Sequence, residues 1–113
     1  MRVTSEFFVA ALVRRVFSGG GFAAVIRKGS PEAGAIFITV RRRDGTVALY
    51  GPAPQSGYGE GPSDRRFICL AEDLDDDAIS QRIERETRFD TDVWFVELDA
   101  GQPAGDYFEI VTT

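Results

Sequence analysis

The sequence contains no histidine, one cysteine, one methionine, one tryptophan and a single lysine against twelve arginines. Without histidine there is no His general base, no Ser–His or Cys–His nucleophile pair and no His metal site. One cysteine, Cys69, excludes an internal disulfide and a cysteine cluster for zinc or iron–sulfur. A reducing cytoplasm suits that cysteine usage. Long apolar runs are missing too. Phe7 to Val13 is a seven-residue run, but Glu6 precedes it and Arg14 and Arg15 cut it short. It reads as a helix face, not as a signal peptide. No run approaches the roughly twenty residues that span a bilayer.

What is present is an ordinary globular balance. The chain has 113 residues, 43% apolar and 27% charged, with nine phenylalanines. That length fits one domain, 1–113, with a real core. The net charge is −5, unevenly spread: residues 1–66 carry +5 and residues 67–113 carry −10. Such asymmetry either marks a nucleic-acid face beside an acidic tail, or lets two halves interleave and attract across one sheet. The acids are spread over a helix and two strands, which favours interleaving.

Thr4 or Ser5 can cap a first helix, with Glu6 favoured in its first turn by the helix dipole. Phe8, Leu12 and Val16 recur four apart, and Val9, Val13 and Phe17 do so on the adjoining row. Gly19-Gly20-Gly21 ends that helix. Phe22 to Arg27 reads as a strand, Lys28 to Gly34 as a loop, and Ala35 to Arg42 as a second strand. Asp44-Gly45 then predicts a tight hairpin with positive φ at both central positions, returning as Val47 to Tyr50. Gly51 to Asp64 has four glycines and three prolines and no periodicity. Arg65 to Ala71 resumes as a strand. Leu74 with Asp75-Asp76-Asp77 opens a second helix whose narrow apolar stripe is Ile79, Ile83 and Phe89. Glu84 and Arg88 pair on its surface. Val93 to Leu98 is a strand, and Tyr107 to Val111 supplies a short last one.

Three of these strands are apolar on both faces: Ala35–Arg42, Arg65–Ala71 and Val93–Leu98. Each therefore needs a layer on each side. The fold expected is α+β: a mixed, mainly antiparallel sheet of about five strands with one helix on each face, in the order α-β-β-β-β-α-β. The crossover through the second helix makes the strands before and after it parallel.

Candidate chemistry is sparse. Asp90 and Asp92 flank Thr91 at a helix-to-strand junction. They read either as an acid–base or cation-holding pair, or as a helix stop built from Asx turns. Arg27-Lys28-Gly29-Ser30 and Gly19-Gly20-Gly21 are either phosphate cradles or plain turns; neither follows the strand–loop–helix context of a phosphate-binding loop. Arg41, Arg42, Arg43, Arg65 and Arg66 gather at one sheet end if the meander brings them together. There they could bind phosphate or an acidic partner. Tyr50 and Tyr58 bracket the first half of the Gly51–Asp64 loop above them, and Tyr58 joins the five arginines as a binding candidate. Cys69 reads as an inert core thiol. No motif calls for a metal or another cofactor.

Several segments in order resemble a known family. They are Ala11-Leu12-Val13-Arg14-Arg15, Arg27-Lys28-Gly29 running to Ala33-Gly34-Ala35, Leu49-Tyr50-Gly51-Pro52, Arg65-Arg66-Phe67, and Phe89-Asp90-Thr91-Asp92-Val93-Trp94. Together they are similar to the DUF1491 family of small uncharacterised alphaproteobacterial proteins. The resemblance covers nearly the whole chain. It implies a domain size and a bacterial source, and carries over no catalytic residue.

The function expected is a small cytoplasmic, non-enzymatic binding or protein-interaction domain. Its first helix is apolar over more of its circumference than one face needs. This leaves some of Phe7, Phe8, Val13 and Phe17 for a protein partner or a second copy. The alternative is a carboxylate- or metal-dependent enzyme centred on Asp90 and Asp92. Nucleic-acid binding through the arginines is the weaker reading, because the chain is acidic overall; a membrane is not expected.

Overall fold

The computed structural model describes residues 3–54, 65–99 and 102–112. Helix α1 (Ser5–Ser18) starts where the Thr4 hydroxyl accepts from the Phe7 N–H at 3.1 Å. It ends where Gly20 takes a φ of +86° and the Gly21 N–H reaches back to the Val16 carbonyl at 2.9 Å. Helix α2 (Asp76–Phe89) is capped by Asp75, whose carboxylate accepts from the Ala78 N–H at 2.8 Å. Asp76 and Asp77 fill its first turn and Arg88 its last.

Six strands form one sheet: β1 (Phe22–Arg27), β2 (Ile36–Arg41), β3 (Val47–Pro52), β4 (Arg66–Leu74), β5 (Trp94–Asp99) and β6 (Glu109–Ile110). A single 3₁₀ turn, Ala104–Asp106, precedes β6. The spatial order is β1-β5-β2-β3-β4-β6. β1–β5, β2–β3 and β3–β4 are antiparallel, while β2–β5 and β4–β6 are parallel. The sheet is thus mixed and mainly antiparallel, with six strands where about five were expected. β5 inserts between β1 and β2, which are neighbours only in sequence. The β2–β3 hairpin forms at Asp44-Gly45, but only Gly45 has positive φ, +90°. The Gly45 N–H donates to the Arg42 carbonyl at 3.0 Å and Arg42 N–H to Thr46 O at 2.8 Å. It is a three-residue loop closed by a left-handed glycine, not the two-residue turn with both φ values positive.

The helices lie on opposite faces. Val9, Leu12 and Val16 of α1 pack with Ile36, Ile38, Trp94, Val96 and Leu98. On the other face Phe37, Leu49, Val93 and Phe95 form a second cluster, with Ile83 of α2 against it. Phe37 and Phe95 stack there with ring centres 5.0 Å apart. Two expectations are corrected on this side. Phe89 is 82% exposed and contributes nothing to the core. β4 is not covered on both faces: Leu70 remains exposed, packing beside Gly51, where an added Cβ would come within 2.6 Å of it.

Two of the segments that carry the family resemblance, Arg27 to Ala35 and Phe89 to Trp94, meet at the loop between β1 and β2. An added Cβ on Gly29 or Gly34 would lie 2.1 Å from the Asp92 carbonyl oxygen. Those glycines let the loop close on the start of β5. The Ser30 N–H donates to the Asp92 carbonyl at 2.9 Å, and the Trp94 indole N–H donates to the Ser30 carbonyl at 2.7 Å. Ser5, fully buried, donates its hydroxyl to the Gly34 carbonyl at 2.6 Å. Here Ser30 spends its amide on the turn that leads into β5, as a structural turn does.

Candidate functional site: the cleft between the second helix and the sheet

Helix α2 stands off the sheet. None of its residues is buried, because its inward stripe holds only Ile79 and Ile83 between charged turns. Beneath it runs a cleft with two ends that share Ile26 and Ile83. The inner end is a cavity of about 210 Å³ between β1, β2, β5, the start of β3 and α2. Its apolar walls are Ile26, Val47, Ile79, Ile83 and Phe95, and its polar groups are Thr39, Arg41, Asp76, Ser80 and Glu97. The outer end opens beside β1, where Arg27, Lys28, Glu84, Thr87 and Arg88 border it. The Thr87 hydroxyl there is shielded and has no hydrogen-bond partner among the described residues.

The sheet positions the inner groups. Thr39 and Glu97 are register partners on the parallel β2–β5 pair, so both side chains stand on the α2 face. Arg41 follows two residues later on the same face. Its guanidinium donates to Asp76 at 2.8 Å and to the Gly45 carbonyl at 3.2 Å, and its Nε lies 3.5 Å from Glu97. The bond to Asp76 raises its pKa, opposed by partial desolvation. Thr39 is 4% exposed.

The five arginines do not meet. β2 and β4 run in the same direction, with β3 between them returning. Arg41, Arg42 and Arg43 therefore lie at one end of the sheet, and Arg65 and Arg66 at the other. In such a meander the end of β2 adjoins the end of β4, not its start. Arg42 pairs with Glu72 and with Asp73, the latter at 3.3 Å; the bond to Glu72 raises its pKa most. Arg66 lies 3.3 Å from Glu109. Arg65 donates to the Val3 carbonyl at 3.0 Å and stands over the Phe8 ring. Arg41, Arg42 and Arg66 thus find their carboxylates in the acidic half of the chain, as interleaved halves require. Tyr58 and residues 55–64 of the loop lie outside the described residues.

Asp90 and Asp92 are exposed on the turn after α2. Asp90 Oδ1 accepts from the Asp92 N–H at 2.9 Å, an Asx turn, and Arg27 donates to the Thr91 carbonyl at 2.8 Å. Among the described residues no three His, Cys, Asp or Glu side chains are grouped to hold a metal ion. Cys69 is half-buried on β4, and burial pushes its thiol pKa up, away from the reactive thiolate.

Of the cleft residues, reasoning from the sequence marked only Arg41 as a binding candidate. Thr39 and Glu97 were missed. Their signal is a polar residue on a strand otherwise apolar on both faces.

The fold and cleft define a small α+β protein with a sheet between two unequally packed helices. The model of a family described as "Protein of unknown function (DUF1491)" matches residues 3–105, and the chain belongs to that family. Solved relatives share the fold. The solution structure of a protein from A. tumefaciens is 46% identical, over 100% of this chain and 98% of that one, with a TM-score of 0.86. The crystal structure of a DUF1491 family protein from Caulobacter crescentus is 31% identical, over 98% and 99%, with a TM-score of 0.76. An NMR structure of a Caulobacter crescentus DUF1491 family protein is 30% identical, over 98% of each chain, also at 0.76. No curated protein matches the chain. No described helix is long and apolar enough to cross a membrane.

Proposed function

We propose that this chain is a small non-enzymatic protein-interaction domain of the cytoplasm that pairs through the free edge of β1, with a second copy of itself as the partner. The observation that carries this is the exposure of large apolar side chains along one strand edge. Phe22 is 54% exposed and Ile26 48%, with Val25 and Phe17 also exposed beside them. Phe17 and Phe22 meet edge to face at 5.7 Å. A register shift between Val25 and Arg27 leaves Val25 opposite Val96, while Ile26 lines the cleft under α2. Both faces of the edge thus carry apolar surface next to unpaired backbone.

The ends of β1 are complementary in charge. Arg27 is its last residue and Lys28 follows it, and Phe22 at its start is the register partner of the exposed Asp99. Antiparallel pairing with a second copy brings each cationic end to the other's aromatic and acidic end, as a two-fold contact requires. Sedimentation from about 10 μM to about 1 mM tests this, since that range brackets a dissociation constant of about 0.1 mM. The expected result is twice the chain mass at the top of the range. The double variant Val25→Lys, Ile26→Lys stays monomeric with an unchanged melting midpoint. A wild-type chain that is monomeric throughout overturns the reading.

A further inference from the structure

We propose that the outer end of the cleft, beside β1 and the last turns of α2, binds a short aliphatic carboxylate. This goes beyond pairing through β1 and does not rest on it. Two unspent donors are the leading observation. Arg27 ends β1, and its Nη2 donates to the Thr91 carbonyl at 2.8 Å. Its Nε is shielded and has no partner among the described residues, and the guanidinium has no ion pair among them. Thr87 borders the same cleft, and its hydroxyl too is shielded and unpartnered among the described residues. It continues the inward stripe of Ile79 and Ile83 at the same spacing, so a polar group stands where an apolar one would close the cleft. A threonine within a helix commonly bonds back to the carbonyl one turn earlier, and Thr87 does not. A partly buried cation without a counter-charge and a shielded hydroxyl without a partner are each costly. Two of them bordering one cleft point to a ligand that accepts from both.

The charges choose the kind of ligand. Arg27, Lys28 and Arg88 border the cleft against one carboxylate, Glu84. Arg88 lies 3.6 Å from Glu84, and Lys28 lies 3.6 Å from Glu6 on α1. Those two cations are compensated, and Arg27 is the one left with its charge unanswered. The last carbonyls of α2 add a partial negative charge of about half an elementary unit. A single negative charge meets that balance. A second would face the helix end without a cation of its own, so a monoanion is favoured over a phosphate dianion. A carboxylate offers two acceptor oxygens to the Arg27 Nε and the Thr87 hydroxyl. Ile26 and Ile83 give a short methylene chain an apolar wall. The cleft here holds about 730 Å³ and opens to solvent, so these few contacts give weak, small-ligand binding.

The test is a titration of ¹⁵N-labelled protein with sodium butyrate, at about 20 μM chain, below the concentrations at which pairing through β1 is expected. n-Butylammonium chloride, sodium phosphate and sodium chloride at matched ionic strength are the comparisons. Saturable shifts are expected at Ile26, Arg27, Ile83 and Thr87 with butyrate, weaker with phosphate and absent with the amine. Arg27→Gln should abolish them. Thr87→Val, which keeps the shape, should weaken binding about tenfold, the worth of one hydrogen bond to a charged group. The methylamide of N-acetylglutamate carries the same group on a peptide unit. Equal binding assigns a protein-borne carboxylate as the source, and weaker binding a free one. Identical shifts from butyrate and butylammonium, shifts that never saturate, tighter binding of phosphate, or full binding to a folded Thr87→Val variant would overturn the proposal. If Arg27→Gln does not fold, Thr87→Val carries the test alone. A chain that stays monomeric at every concentration sinks the pairing and leaves this titration intact.

Discussion

The two faces of the sheet are built differently. On one, α1 buries Val9, Leu12 and Val16, and the buried Ser5 hydroxyl ties the helix start to Gly34. On the other, α2 buries no residue and is moored at its start by Arg41 and Asp76. Two helices of equal length, 14 residues each, therefore do different work. The first seals the core; the second covers a cleft without filling it. A helix held by a partly exposed ion pair and two isoleucines opens more readily than one held by a continuous apolar stripe. Cleft and looseness share one cause, the scarcity of apolar residues between Asp76 and Phe89.

That contrast is broken or sharpened by substitution. Leu12→Ala should cost about 2–5 kcal/mol in chemical denaturation, because a fully buried leucine leaves a cavity. Ile83→Ala, on the loose face, should cost about 1 kcal/mol. Equal losses would mean that α2 is packed as tightly as α1. Gly34→Ala should cost about 1–3 kcal/mol, since its Cβ would collide with the Asp92 carbonyl, backbone that cannot swing aside. Thr87→Val should raise the melting midpoint of the free protein by a few degrees, as it removes a shielded hydroxyl with no partner among the described residues from the cleft. A lowered midpoint would show that the hydroxyl is bonded in solution.

The smallest effect is at the hairpin. The Thr46 hydroxyl and then its N–H hold the Asp44 carboxyl below its usual pKa. A carboxyl whose folded pKa is depressed stabilises the fold above its unfolded pKa, and that contribution fades as pH falls through the folded value. The gap in melting midpoint between wild type and Asp44→Ala should be full at neutral pH and should close in acid.

The sequence made local structure legible and left distant pairing obscure. Thr4 and Asp75 announce their helices through side-chain caps, and Asp44-Gly45 announces its hairpin, all within a few residues. β5 joining β1 to β2 has no local signal, because the pairing is decided by burial of Trp94, Val96 and Leu98 under α1. The same blindness misplaced the arginines. Arg42 and Arg66 read as neighbours until β3 is seen returning between β2 and β4. Phe89 satisfies the helical period of Ile79 and Ile83, yet the sheet does not extend beneath it. Of the cleft, Arg41 drew notice as one of a run of three. Thr39 looked like an ordinary strand position, since its pairing with Glu97 shows only across the β2–β5 ladder.

The insertion of β5 also sets a timetable. β1 and β2 leave the ribosome early, each with an apolar edge that the other cannot cover, because the strand that belongs between them is made last but one. The β2–β3–β4 meander can assemble as it emerges, from contacts between chain neighbours. α1 and β1 can only wait beside it. Until Trp94–Asp99 arrives, the nascent protein is two half-built pieces joined by the loop from Lys28 to Ala35, and its exposed strand edges are open to wrong pairing. The glycines at 29 and 34 then act as a latch. They let that loop lie against Asp92, the residue from which the chain turns into β5, so the join between the two pieces closes on the strand that arrives late.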